Sequence, residues 1–171
     1  MHNLKNVVIH HPEENVWILP QTTAWTRPYA RTALESLEAL NLNGLNVENM
    51  KSVHQFVFQC WFLKSLDLSS WRLLNAENLA YMFGECSNIE TIDIGNFSAG
   101  SNSGGLVTTE YMFSNCRKLK SVDIDGWKYA SGAVTRRMFG ECNSLDAIDM
   151  STCEMSSLNN TNSMFEGCRS A

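Results

Sequence analysis

A chain of 171 residues that is 44% hydrophobic and 18% charged can build one domain with a sizeable core and is too apolar to stay disordered. Its formal charge of −5 offers no electrostatic footprint for nucleic acid or an anionic membrane. No apolar run reaches the length of a transmembrane helix, and the opening MHNLKNVVIHHPEENVW lacks the features of a secretory signal.

The first 29 residues read as a capping segment. NVVI and VWILP flank HHPEEN, a pattern that predicts a hairpin with a turn between its arms. Trp17 and Trp25 would cover the first repeat of the chain. His10, His11, Glu13 and Glu14 resemble a metal cluster only in composition.

From residue 30 to 171 the chain repeats itself. MFGEC stands at 82–86 and again at 138–142, with looser copies FVFQC (56–60), MFSNC (112–116) and MFEGC (164–168). The cysteines Cys60, Cys86, Cys116, Cys142 and Cys168 are separated by 26, 30, 26 and 26 residues. The long interval carries GNFSAGSNSGGLV (95–107), a Gly/Ser-rich stretch expected to absorb the excess as a loop. One step of 26 back from Cys60 lies Leu34, opening LESLEALNLNGL (34–45). It aligns without gaps with CWFLKSLDLSSW, CSNIETIDIGNF, CRKLKSVDIDGW and CNSLDAIDMSTC. The pattern gives about five full repeats and a partial last one.

The aligned columns predict local structure. Leu40, Leu66, Ile92, Val122 and Ile148, then Leu42, Leu68, Ile94, Ile124 and Met150, are apolar columns separated by one polar residue. That is the period of a short strand with one face buried. The pairs Met82–Phe83, Met112–Phe113, Met138–Phe139 and Met164–Phe165 sit in segments expected to form short helical or irregular turns. No unit buries its apolar columns alone, so units must stack and their strands form a parallel sheet. A 26-residue unit falls in the leucine-rich-repeat range. The expected fold class is α/β: a leucine-rich-repeat solenoid with a parallel concave sheet.

The pattern M-F-x-x-C-x-x-L-x-x-L/I-D-L/I-x-x-W/F resembles the repeat of BspA-like bacterial surface proteins over about residues 34–168. The resemblance implies a binding scaffold at the cell surface or secreted, associated with adhesion and recognition, and brings no catalytic residues. The absent export signal leaves a cytoplasmic location as the alternative.

The recurring cysteines read as packing, because leucine fills the same column in the first repeat and free cysteine behaves as a small buried hydrophobe. Zinc sites use close pairs such as C-x₂₋₄-C, which the sequence lacks. Disulfides between neighbouring repeats fit the expected spacing, yet a ladder of five cannot pair completely without Cys153, which stands in another column. In the strand segments Asn41, Asp67, Asp93, Asp123 and Asp149 point away from the core, flanked by Ser65, Thr91, Ser121 and Asp125. Stacked carboxylates repel by up to about 1 kcal/mol per neighbour in water, so something must offset the repulsion. Three readings remain open: hydrogen bonds from nearby hydroxyls and N–H groups, a cationic ligand or partner surface, or calcium held by converging oxygens. The column Trp71, Phe97 and Trp127 reads as core rather than as a carbohydrate platform.

Catalytic signatures such as G-x-S-x-G, H-E-x-x-H, a P-loop or G-x-G-x-x-G are missing, and no cofactor or metal is implied. The expected role is a non-enzymatic recognition or adhesion module for a protein or glycoconjugate. An intracellular scaffold docked in a larger assembly is the rival. The last repeat stops at MFEGCRSA, before a further strand, which suggests self-association through the C-terminal end or a longer repeat array.

Overall fold

The computed structural model describes residues 6–8, 38–42 and 47–169. Among them the chain is strand-rich, with parallel sheets and no helix. The strands are β1 (Asn6–Val8), β2 (Ala39–Asn41), β3 (Ser65–Asp67), β4 (Thr91–Asp93), β5 (Leu106–Thr108), β6 (Ser121–Asp123), β7 (Tyr129–Val134) and β8 (Ala147–Asp149). Six of them form one sheet in the order β1-β2-β3-β4-β6-β8, and every pairing is parallel. The hairpin expected around His10, His11, Glu13 and Glu14, with Trp17 and Trp25, lies outside the described residues, as does Leu34; β1 itself pairs in parallel with β2.

The register follows the repeat. Leu66 pairs with Ile92 and Val122 with Ile148, so each apolar column stacks on itself. Within β3, β4 and β6 the central residue is buried and its two neighbours are exposed, as an alternating strand with one dry face requires. Leu68, Ile94 and Ile124 continue the buried face just beyond the strands. At β8, the edge of the sheet, Ile148 and Met150 are only half-buried.

The Met-Phe segments differ from the helical alternative. They are chains of turns that hydrogen-bond from one repeat to the next. The N–H groups of Val57, Phe83, Phe113 and Phe139 donate to the carbonyls of Met82, Met112, Met138 and Met164 at 2.8–2.9 Å. Alternate N–H groups close turns on their own repeat, as Met82 does to Leu79 and Cys86 to Phe83. The backbone alternates in hand: Tyr81, Glu85, Tyr111, Asn115, Arg137 and Glu141 all have φ between 50° and 64°. A left-handed residue every fourth position prevents a helix from propagating, and it leaves every second N–H group pointing outward toward the neighbouring repeat. Each such residue is strained by about 1–2 kcal/mol, which the inter-repeat ladder offsets.

A further parallel ladder joins these segments to the rest. β5 pairs with β7, and isolated bridges link Ser52 to Asn78, Asn78 to Thr108 and Val134 to Asn160. The Gly/Ser-rich stretch is therefore a loop only in part. It turns from Ser98 to Gly104 and then enters β5 at Leu106. Gly105 makes this close approach feasible: at φ 111°, a Cβ there would lie 2.3 Å from the Ala130 nitrogen.

The core is built of stacks one residue deep per repeat. Phe83, Phe113, Phe139 and Phe165 pile ring on ring with centroids 5.2, 5.3 and 5.5 Å apart. Trp71, Phe97 and Trp127 form a second pile at 6.4 and 6.1 Å. All three are buried, so no sugar can stack on them. The Trp71 indole N–H donates to the Leu42 carbonyl.

Candidate recognition surfaces

The exposed face of β3, β4 and β6 shapes a groove of about 510 Å³ on the sheet, lined by Ser65, Asp67, Thr91, Asp93, Ser121 and Asp123. Strand alternation places all six on the solvent side. Asp149 continues the row on β8, paired with Asp123, and in the strand register Asn41 of β2 is the partner of Asp67.

Each carboxylate finds a donor two residues along the chain. Asp67 Oδ1 accepts from the Ser69 N–H at 2.9 Å and from its hydroxyl at 2.6 Å. Asp93 Oδ1 accepts from the Gly95 N–H at 3.4 Å, Asp123 Oδ1 from the Asp125 N–H at 2.9 Å, and Asp149 Oδ1 from the Ser151 N–H at 2.9 Å. The Ser151 backbone and side chain hold the Asp149 carboxyl below the usual aspartate range. These local bonds hold the negative row in place and aim it. The Oδ2 atoms of Asp93 and Asp123 make no hydrogen bond among the described residues and stay available to an incoming donor. Asp125 accepts instead from the Thr152 hydroxyl of the next repeat.

None of the six cysteines is joined to another in a disulfide. Cys60, Cys86, Cys116 and Cys142 are buried, while Cys168 and Cys153 are half-buried near the end of the stack. Burial pushes the thiols of Cys86 and Cys116 well up, and that of Cys142 up to about 12. Such thiols are poor nucleophiles at neutral pH. Among the described residues no cluster of three or more His, Cys, Asp or Glu could hold a metal ion.

A second groove, which the repeat pattern does not announce, runs over the turn segments. It encloses about 310 Å³ and is walled on one side by Tyr81, Tyr111 and Arg137 and on the other by Glu85, Asn115 and Glu141. Gly84 and Ser114 form its floor, and Phe58 closes one end. Tyr81 and Tyr111 are stacked at 4.8 Å, and the Arg136 guanidinium lies 5.1 Å over the Tyr111 ring. Its one sequence signal is the tyrosine directly before Met-Phe in two repeats, at Tyr81 and Tyr111.

Residues 31–104 and 48–171 each match a family model described as Mycoplasma protein of unknown function, DUF285. The chain belongs to that family. The two DUF285 matches overlap over residues 48–104, which is what internal repeats produce when one model can be laid on them at more than one offset. Comparison with curated proteins and with solved structures gave no match.

Proposed function

We propose that this DUF285 chain is a non-catalytic recognition module whose repeats wind as a leucine-rich-repeat solenoid, with the parallel sheet as its concave face. Its target is a protein or glycoconjugate bearing cationic or hydrogen-bond-donating groups. The observation that carries the reading is the sheet groove, where a row of serine, threonine and aspartate side chains repeats in register. Carboxylates held by their own backbone are pre-organised acceptors, so little ordering entropy is lost when a partner binds. The resemblance to BspA-like surface proteins supports adhesion at the cell surface. Replacing Asp67, Asp93 and Asp123 together by Asn tests it on arrays of matrix proteins and glycans. Wild-type binding should weaken with salt, and the triple variant should lose it while keeping its melting temperature. Unchanged binding by the variant refutes the assignment to the sheet.

The rival role, a scaffold within a larger assembly, draws on the other end of the core. Ile148, Met150, Met155 and Leu158 pack against the core yet remain half-buried, and Phe165 is exposed at 39%. A second copy, or further repeats, stacked on β8 would cover them. Light scattering distinguishes the two: concentration-dependent dimers abolished by Phe165→Glu favour the scaffold.

A further inference from the structure

The groove on the turn segments differs from the sheet groove in what its carboxylates hold. Lys51 pairs with Glu77, Lys120 with Glu90, Arg136 with Glu110 and Arg137 with Glu166. Glu85 and Glu141, which face the groove, have no cation among the described residues; Glu85 accepts only the Asn115 amide at 2.9 Å. The lining cation, Arg137, pairs through one terminal nitrogen with Glu166 at 3.1 Å, and its buried Nε has no hydrogen-bond partner among the described residues. The pocket thus sets two carboxylates without a cation, Glu85 and Glu141, against one guanidinium that already has a carboxylate of its own; it is aromatic at one wall and end, and near the lower size limit of about 300 Å³ for ligand pockets.

Its depth comes from backbone spacing. Phe58, Gly84 and Ser114 occupy the same column in successive repeats. A Cβ on Gly84 would meet the Phe58 ring and the Tyr111 carbonyl, each at 3.1 Å. The column therefore falls from a phenyl ring to bare backbone within one repeat. Phe58 meets Tyr81 edge to face at 5.7 Å, so the two rings form a corner over the glycine floor.

The chain shows next to this groove which group such a corner takes. Arg136 lies over Tyr111 while its Nε donates to Glu110 Oε1 at 2.6 Å. Aromatic face plus carboxylate is the chemistry of a guanidinium site. We propose that the Phe58–Tyr81–Glu85 end of the groove, with Glu141 farther along, receives an arginine side chain of a partner polypeptide. Glu85 faces the guanidinium, the aromatic corner takes its flat surface, and Ser114 and Asn115 bond the adjoining peptide. The site lies on the turn segments, apart from the sheet, so its fate does not hang on the sheet groove.

The test uses the ¹⁵N-labelled chain and two blocked pentapeptides, acetyl-Gly-Ser-Arg-Ser-Gly-amide and its citrulline counterpart, with N-acetylglucosamine as a third probe. The arginine peptide should shift the amides of residues 81–85 and 111–115 saturably, and citrulline, which is isosteric and neutral, should not. Glu85→Gln should raise the dissociation constant at least fivefold, and Glu85→Gln with Glu141→Gln at least tenfold. The Asp67, Asp93 and Asp123 triple variant should bind the peptide as the wild type does. Should the double variant fail to fold, the single variant and the loss of shifts in 0.5 M salt decide the matter. Equal shifts with citrulline, an unaltered constant in Glu85→Gln, or groove shifts with N-acetylglucosamine alone would overturn the proposal.

Discussion

Truncating Phe113 removes the centre of the phenylalanine stack. The ring is fully buried and touches Phe83 at 5.2 Å and Phe139 at 5.3 Å. A buried Phe→Ala change costs about 3–5 kcal/mol through lost transfer energy and the cavity left behind. Of this, the two ring pairs account for about 0.5–1.5 kcal/mol each. Phe113→Leu keeps most of the apolar volume and loses chiefly the two pairs, so about 1–3 kcal/mol is expected. Phe165, the last ring, has one partner and is 39% exposed; its truncation should cost about 1–1.5 kcal/mol. Urea unfolding through the buried Trp71 and Trp127 gives all three values. Position in the stack sets the ranking: Phe113→Ala costs most, and Phe165→Ala no more than Phe113→Leu. If Phe165→Ala destabilises as much as Phe113→Ala, stability is not distributed by stacking and the reasoning fails.

The same geometry fixes other outcomes. In native thiol titration Cys153 and Cys168 should react first, while Cys60, Cys86, Cys116 and Cys142 wait for denaturant; fast labelling of the buried set contradicts their placement. Gly105→Ala should destabilise by more than about 2 kcal/mol, because its Cβ has backbone within 2.3 Å, whereas Gly104→Ala, with open space around it, bears only the roughly 1 kcal/mol of its positive φ. Similar melting temperatures for the two would refute the close approach. Asp149 should titrate below the ordinary aspartate range by NMR. Its depressed value means that its contribution to stability is present above the unfolded-state value and fades as pH falls through the folded one. Ser151→Ala keeps the backbone N–H, the larger cause, and removes the hydroxyl, so it should move that titration upward only in part; no movement would exclude the hydroxyl as a contributor.

The strand columns were legible because they obey two simple periods at once, 2 within a strand and 26 between strands. Leu66 on Ile92 and Val122 on Ile148 could be drawn from alignment of the sequence with itself. The turn ladder could not. It depends on left-handed backbone at Tyr81, Glu85, Tyr111 and Arg137, residues with no intrinsic preference for that region, held there by hydrogen bonds to the neighbouring repeat. Local propensity pointed to a short helical turn, and stacking overrode it. The second groove was hidden for a related reason. Its floor exists only because Gly84 succeeds Phe58 in the stack, a relation between residues 26 apart whose backbone direction the sequence does not state. For the acidic row, sequence put the carboxylates on the solvent side, but which donors hold them depends on the turn after each strand.

The cysteine column shows why one residue type can be selected again and again without chemistry. The Phe83 carbonyl accepts the Cys86 N–H that closes its own turn, at 3.2 Å, and also faces the thiol of Cys116 in the next repeat, at 3.2 Å. Phe113 does the same with the N–H of Cys116 and the thiol of Cys142, and Phe139 with those of Cys142 and Cys168. The position demands a small side chain that is apolar enough to be dry yet able to donate weakly to a carbonyl with a lone pair to spare. Alanine would leave a void, and serine would bring a hydroxyl whose desolvation costs about 1–3 kcal/mol unless its bond is well made. Leucine would fill the space without the bond. A thiol meets both demands, and because each one links a turn to the repeat beside it, the same residue is required wherever another repeat is stacked.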